Sequence, residues 1–149
     1  MSLKNLMMLV LSVSLVIGVA LIGGCVGSEI ETPSQETTTQ IIEDITSQEA
    51  FTLIQNNQNN PDFVILDVRT AEEVADGHIE NAVNIDYYSE TFRDALDNLD
   101  KNKTYLIYCR TGGRSGNTLN IMAELNFREV YNILEGIVSW KAEGLPTTK

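Results

Sequence analysis

One short run of residues joins a nucleophilic side chain to groups that could activate it. The run is Cys109-Arg110-Thr111-Gly112-Gly113-Arg114-Ser115. Two adjacent glycines allow successive backbone amides to turn inward around an anion. Such amides and two nearby arginines favour the charged form of a thiol, and so lower its pKa from the usual value of about 8.5. The run predicts Cys109 as a catalytic sulfur nucleophile, and Arg110, Thr111, Gly112, Gly113, Arg114 and Ser115 as substrate-binding residues.

A structural role for the cysteine is the alternative. A cysteine that follows an apolar strand can be a small buried hydrophobe without any reactivity. The neighbouring glycines and arginines favour the chemical interpretation, because a purely structural connection between a strand and a helix does not need two cations beside a cysteine.

The run lies between two predicted elements. Residues 104–108 (TYLIY) form an apolar run typical of a buried strand, and a helix is predicted from about Ser115 with Leu119, Met122 and Ala123 on its apolar face. Ligands of open α/β sheets bind beyond the carboxyl ends of the strands, where helix N-termini present unpaired N–H groups. Cys109 therefore stands where a nucleophile is expected.

Short apolar runs alternate with helical patterns along the rest of the folded part, as in βα units. Thr46 and Glu49 form a capping-box pattern that opens a helix, and residues 63–66 are a continuous apolar run typical of a strand covered on both faces. The other predicted elements are a short strand at 82–85, a helix opened by Ser89, a strand at 130–134 and a helix from about Ile137 to Gly144. We predict a three-layer α/β fold, with helices on both faces of a mainly parallel sheet.

Over about residues 42–146 the sequence resembles the rhodanese family, and the run that starts at Cys109 looks like the six-residue active-site loop of that family. Other family marks agree in order and spacing: Leu66-Asp67-Val68-Arg69, Glu72, Glu73, Gly77-His78-Ile79, Ala82, Asn84, Gly136, Trp140 and Gly144-Leu145-Pro146. Asn81 and Glu135 depart from the family, which usually has glycine at these positions. The resemblance implies a single-domain rhodanese-like fold.

The resemblance also implies a rhodanese-type sulfurtransferase that needs no cofactor. The Cys109 thiolate would take sulfane sulfur from a small anionic donor such as thiosulfate, hold it as a persulfide and pass it to a thiol acceptor or another nucleophile. Mercaptopyruvate, polysulfide and protein persulfides are further donors of this class.

Two other functions use a similar loop. A persulfide carrier or sensor with little turnover would have the same residues. A cysteine phosphatase would need C-x5-R, whereas the sixth residue after Cys109 is Ser115 and Arg114 comes one place early.

A Cys/His/Asp triad with His78 and Asp67 is not predicted, because a thiolate activated by backbone amides needs no base. In the family these two positions support the fold. Asp67, Arg69 and Glu73 are interpreted as a buried or half-buried ion-pair network, and Trp140 as a core residue.

The composition excludes several classes of partner. Asp and Glu number 21 against 10 Lys and Arg, and the net charge is −11. This balance argues against a nucleic-acid partner, because phosphates are bound by clustered cations. With two cysteines, Cys25 and Cys109, and the single histidine His78, neither a disulfide framework nor a metal site is predicted.

The N-terminus predicts attachment to a membrane. Residues 1–24 hold one charge, Lys4, and an uninterrupted apolar run, which is typical of a signal or anchor segment. The end of this segment, Ile22-Gly23-Gly24-Cys25, resembles a lipobox and predicts lipid on Cys25; an uncleaved signal anchor is the alternative. Residues 25–41 are predicted as a flexible polar tether and residues 42–149 as the domain. Both anchoring modes imply an extracytoplasmic, membrane-anchored protein.

Overall fold

The computed structural model describes residues 39–149. Strands and helices alternate along them in the order β1 Ile41–Ile45, α1 Ser47–Asn56, β2 Phe63–Asp67, α2 Ala71–Ala75, β3 Val83–Asn84, α3 Phe92–Asp97, β4 Thr104–Tyr108, α4 Gly113–Glu124, β5 Glu129–Ile133 and α5 Gly136–Ala142. The predicted signal or anchor segment, with Cys25 and most of the predicted tether, lies outside the described residues. Within residues 39–149, no helix combines the length and the apolar character needed to cross a membrane.

The strands form one parallel sheet in the order β1-β5-β4-β2-β3. Helices α3 and α4 pack on one face and α1 and α5 on the other. The central strand β4 contributes Tyr105 and Ile107 to the first core and Leu106 and Tyr108 to the second, and each of them is at most 1% exposed. A strand buried on both faces needs apolar side chains throughout, which explains the TYLIY run. The predicted three-layer α/β fold is confirmed.

The edge strand β1 corrects the predicted boundary between tether and domain. Ile41, assigned to the tether, is the first residue of β1, and its amide donates to the carbonyl of Arg128 at 2.9 Å. The side-chain amide of Gln40 donates to the carbonyls of Ala123 and Phe127 at 3.1 and 2.8 Å. The strand was missed because it is held mainly by backbone pairing with β5, and none of its side chains is fully buried.

Helix α2 was also not predicted from the sequence. A capping box caps its N-terminus. The Glu73 amide donates to the Thr70 hydroxyl at 3.4 Å, and the Thr70 amide donates to the Glu73 carboxylate at 3.3 Å. The helix has five residues and buries none of them, so it gives no apolar periodicity.

Two helices begin at other residues than predicted. Helix α3 starts at Phe92 and not at Ser89, whose hydroxyl accepts from the Thr91 amide at 3.3 Å within the preceding turn. Helix α4 starts at Gly113, two residues before Ser115, because the carbonyl of Gly112 already accepts the first helical hydrogen bond.

Candidate active site

The predicted nucleophile lies at the carboxyl edge of the sheet. Cys109 directly follows the central strand β4, and three loop residues connect it to α4. Its residue surface is only 1% exposed. The sulfur therefore lies at the bottom of the loop, between the end of a buried strand and the start of a helix.

The Cys109 sulfur accepts hydrogen bonds from its own loop. The amide of Gly112 lies 3.1 Å from Sγ, and the hydroxyl of Ser115 lies 3.4 Å from it. Burial raises the pKa of the Cys109 thiol, but the hydroxyl and amide of Ser115 and the amides of Thr111 and Gly112 outweigh it, and the pKa is lowered. These donors favour the thiolate, as the sequence predicts for an activated cysteine.

Only the first glycine of the pair needs to be glycine. Gly112 has φ +90°, and a Cβ there would lie 3.1 Å from the amide nitrogen of Glu135. Gly113 has a helical conformation with open space around it. The turn that directs amides at the sulfur therefore depends on Gly112.

The start of α5 holds the loop from behind. The amide of Ile137 donates to the carbonyl of Cys109 at 2.9 Å, and the amide of Val138 donates to the carbonyl of Arg110 at 3.1 Å. Gly136 makes this approach possible, because a Cβ at this position would collide with the Cys109 carbonyl and lie 2.8 Å from the Arg110 carbonyl oxygen. With both carbonyls turned toward α5, the following amides are free to face the sulfur.

The two arginines of the loop have different environments. Arg114 forms a two-point ion pair with Glu73, at 2.7 and 2.8 Å, and its guanidinium lies 5.5 Å from the centre of the Tyr88 ring. Arg110 is exposed, and no acidic side chain of residues 39–149 forms an ion pair with it. Both were predicted as substrate-binding residues, with Arg110 facing the incoming donor and Arg114 helping to shape the loop; in the structure Arg110 is the more exposed of the two and Arg114 is held by Glu73.

Glu73 is the site residue whose contact was assigned incorrectly. The predicted network joins it to Asp67 and Arg69, but the Asp67 carboxylate pairs with Arg69 alone, with 2.8 Å between Nε and Oδ1. Arg69 donates to the backbone carbonyl of Glu73 at 3.0 Å and makes no hydrogen bond to the Glu73 carboxylate. The Glu73 carboxylate reaches the active-site loop instead, and the capping-box pattern that opens α2 was the available signal for its position.

The remaining polar residues of the family pattern support the fold. The His78 ring lies 3.3 Å from the Val74 carbonyl, and the His78 backbone pairs with Thr148 in both directions, at 2.9 and 2.8 Å. The Asp67 carboxylate is engaged by Arg69, so neither side chain is placed as a base for the cysteine. Trp140 is a core residue, as predicted, and is 1% exposed.

Asn81 and Glu135, the two departures from the family pattern, have left-handed backbone conformations, with φ of 64° and 58°. Glycine adopts this region without strain and asparagine tolerates it better than glutamate does. The turns are therefore retained, at a conformational cost that is greater at Glu135. No group of three or more His, Cys, Asp or Glu side chains that could hold a metal lies within residues 39–149.

We expect Ser115→Ala to make the thiolate harder to form. The hydroxyl is one of the groups that lower the Cys109 pKa, and a hydrogen bond to a charged acceptor contributes about 1.5–3 kcal/mol. The pH at which half of the thiol is ionised should therefore rise by about one to two units. The ultraviolet absorbance of the thiolate, followed against pH, measures this. An unchanged titration curve would show that the backbone amides alone stabilise the sulfur.

Comparisons with known proteins identify the family of the chain. The sequence profile of the family "Rhodanese-like domain" matches residues 39–143, which is most of the chain. The chain belongs to the rhodanese-like domain family.

Proteins of known name and structure are similar to it. A sulfurtransferase of Allochromatium vinosum is 30% identical over 94 residues, covering 63% of this chain and 86% of that protein. Thiosulfate sulfurtransferase GlpE of Coxiella burnetii is 32% identical over 98 residues, covering 66% and 86%. The crystal structure of a rhodanese-like domain protein from Staphylococcus aureus is 32% identical, with a TM-score of 0.56, and the match covers 72% of this chain and 99% of that one.

Proposed function

We propose that this protein is a sulfurtransferase that carries sulfane sulfur as a persulfide on Cys109. The observation that carries the proposal is the environment of the sulfur, which accepts hydrogen bonds from the Gly112 amide and the Ser115 hydroxyl at the end of a buried strand. Relatives named as sulfurtransferases support the same reaction class.

The reaction is a covalent exchange in two steps. In the first, the Cys109 thiolate attacks the outer sulfur of the donor; a bond from Sγ to that sulfur forms, and the donor's own bond to it breaks with both electrons leaving on the donor remainder. With thiosulfate this remainder is sulfite. In the second step an acceptor thiolate attacks the outer sulfur of the persulfide, and the Cys109 thiolate is released again.

The protein contributes the anion-stabilising groups of both steps. The negative charge lies on the Cys109 sulfur before attack, and on the persulfide after it. Loop amides and the Ser115 hydroxyl stabilise charge at this place without rearranging. Arg110, exposed beside the nucleophile, is the cation that an anionic donor meets first. The similarity to a thiosulfate sulfurtransferase supports thiosulfate as one donor.

Two turnover assays test the proposal. One supplies thiosulfate with cyanide as the acceptor, and the other supplies polysulfide with a thiol. We expect catalytic turnover in at least one of them, and the added mass of one sulfur atom on Cys109 when the acceptor is omitted. Loading without turnover would identify a persulfide carrier or sensor, and an unloaded cysteine would contradict sulfur transfer.

We also propose that the protein is anchored at the outer face of a membrane through lipid on Cys25. The support is in the sequence, where an apolar segment with one charge ends in the lipobox-like Ile22-Gly23-Gly24-Cys25. Cys25→Ser should abolish processing and lipid attachment in cells, seen as a precursor of higher mass. A wild-type protein that keeps its intact N-terminal peptide in the membrane would favour the uncleaved signal anchor.

A further inference from the structure

We propose that Glu73 sets the charge preference of the donor site, and biases it toward sulfane donors with a single negative charge, such as organic thiosulfonates and persulfides, over doubly charged thiosulfate. This inference rests on the proposed sulfurtransferase function. Glu73 lies outside the loop and acts through Arg114, so it is a positioning residue that determines specificity.

The Glu73 carboxylate occupies the guanidinium of Arg114 and so keeps it from binding a donor. Each terminal nitrogen of the guanidinium donates to a different carboxylate oxygen, at 2.7 and 2.8 Å. The Arg114 side chain is only 15% exposed, and the Tyr88 ring stands 5.5 Å from the centre of its guanidinium. A two-point pair with a third contact fixes the orientation of the guanidinium and occupies its best donors. Arg110 is therefore the loop cation that remains open to a ligand.

The two loop arginines, the Cys109 thiolate and Glu73 carry no net charge as a group. Arg110 and Arg114 contribute two positive charges, and Cys109 and Glu73 contribute two negative ones. The hydrogen bond from Arg114 keeps the pKa of Glu73 below its ordinary value, so the carboxylate stays charged at neutral pH. A dianion gains little from a site without net charge and must still approach a thiolate, whereas a monoanion meets less repulsion.

The surroundings of the loop also suit an organic donor. Tyr88, whose ring lies 5.5 Å from the centre of the Arg114 guanidinium, is 69% exposed. This exposed aromatic side chain beside the loop can contact an organic substituent that thiosulfate lacks.

The test compares two donors that share the same sulfane chemistry and differ by one charge, thiosulfate and benzenethiosulfonate. In Glu73→Gln the side chain still accepts from Arg114 and still suits a capping box, but its charge is gone. The ratio of kcat/KM for thiosulfate to kcat/KM for benzenethiosulfonate should rise about three- to tenfold, because the site gains one net positive charge. An unchanged or lower ratio would overturn the inference.

The matched control is Glu124→Gln. Glu124 is the last residue of α4, at the end of the helix away from the loop. It pairs with Arg93 at 3.1 Å, and both side chains are more than half exposed. This variant removes the same charge from the protein as a whole, so its ratio should equal that of the wild type. A rise as large as that of Glu73→Gln would assign the effect to net charge and would overturn the role of Glu73.

A second measurement does not depend on sulfur transfer. The rate of Cys109 alkylation by iodoacetate, an anion, is divided by the rate with neutral iodoacetamide, and this ratio should rise in Glu73→Gln. If neither donor is used but the alkylation ratio rises, the sulfurtransferase proposal fails while the charge role stands. If sulfur is transferred and both ratios stay constant, the charge role fails. Glu73→Ala, which also lacks the charge, decides the outcome should the glutamine variant not fold.

Discussion

Cys109→Ser should reduce sulfur transfer to the uncatalysed background, a loss of at least about a thousandfold, while the domain remains folded. A serine hydroxyl is nearly isosteric with the thiol and can accept from the same Gly112 amide and Ser115 hydroxyl. It cannot form a persulfide, and the hydrogen bonds that produce a thiolate do not ionise an alcohol at neutral pH. Turnover with either donor pair, together with the mass of the donor-treated protein, measures the loss.

The folded state of this variant is the necessary control. Circular dichroism and thermal unfolding should match the wild type closely, since the substitution keeps the buried volume nearly constant. Transfer at the wild-type rate by a folded Cys109→Ser protein would show that another group carries the sulfur and would contradict the central assignment.

Gly136→Ala should damage stability and activity together. An added Cβ would meet the carbonyls of Cys109 and Arg110, and the position has φ +59°. The left-handed conformation alone costs a non-glycine residue about 1–2 kcal/mol, and the clash with fixed backbone adds to it. Displacing these carbonyls would also turn the loop amides away from the sulfur. We expect the free energy of unfolding to fall by more than about 2 kcal/mol, and kcat/KM of the folded protein to fall at least about tenfold.

Gly144→Ala separates these two effects. Gly144 lies after the other end of the same helix with φ +71°, and nothing would lie within 4 Å of an added Cβ. Gly144→Ala introduces the strained backbone conformation but no clash, so the variant should lose stability and keep its kcat/KM. Denaturant unfolding and steady-state kinetics on both variants provide the comparison. Equal effects would refute the close approach of α5 to the active-site loop.

The sequence indicated the chemistry of the site better than its electrostatics. Cys109 could be placed at the carboxyl edge of the sheet because the apolar run before it and the glycines after it are local signals. The partner of Arg114 could not be predicted, because Glu73 is 41 residues away along the chain. Arg69 lies much closer to Glu73 in sequence and was therefore taken as its partner. The role of Gly136 could not be predicted for the same reason, because the need for glycine at this position arises from contact with the backbone of another segment.

The elements that were missed lack a buried side-chain pattern. The strand at Ile41–Ile45 is an edge strand whose residues are at best half-buried, and Ala71–Ala75 buries none of its residues. Strands covered on both faces, such as Phe63–Asp67 and Thr104–Tyr108, carry long apolar runs and were recognised. The hydrophobic pattern of a sequence reflects which side chains are buried. Elements held by backbone pairing or by a helix cap bury few side chains, so their sequences lack such a pattern.

The order of the strands has a consequence for the newly made chain. The first strand pairs with the last one, Ile41 opposite Glu129, and the amides that hold the Cys109 loop belong to residues 137 and 138. As synthesis proceeds from the N-terminus, the first strand has no neighbour, and the loop has no support from behind, until nearly the whole domain has left the ribosome. We therefore expect the thiol to gain its full activating environment only near the end of synthesis, when residues 137 and 138 can hold the loop backbone in place.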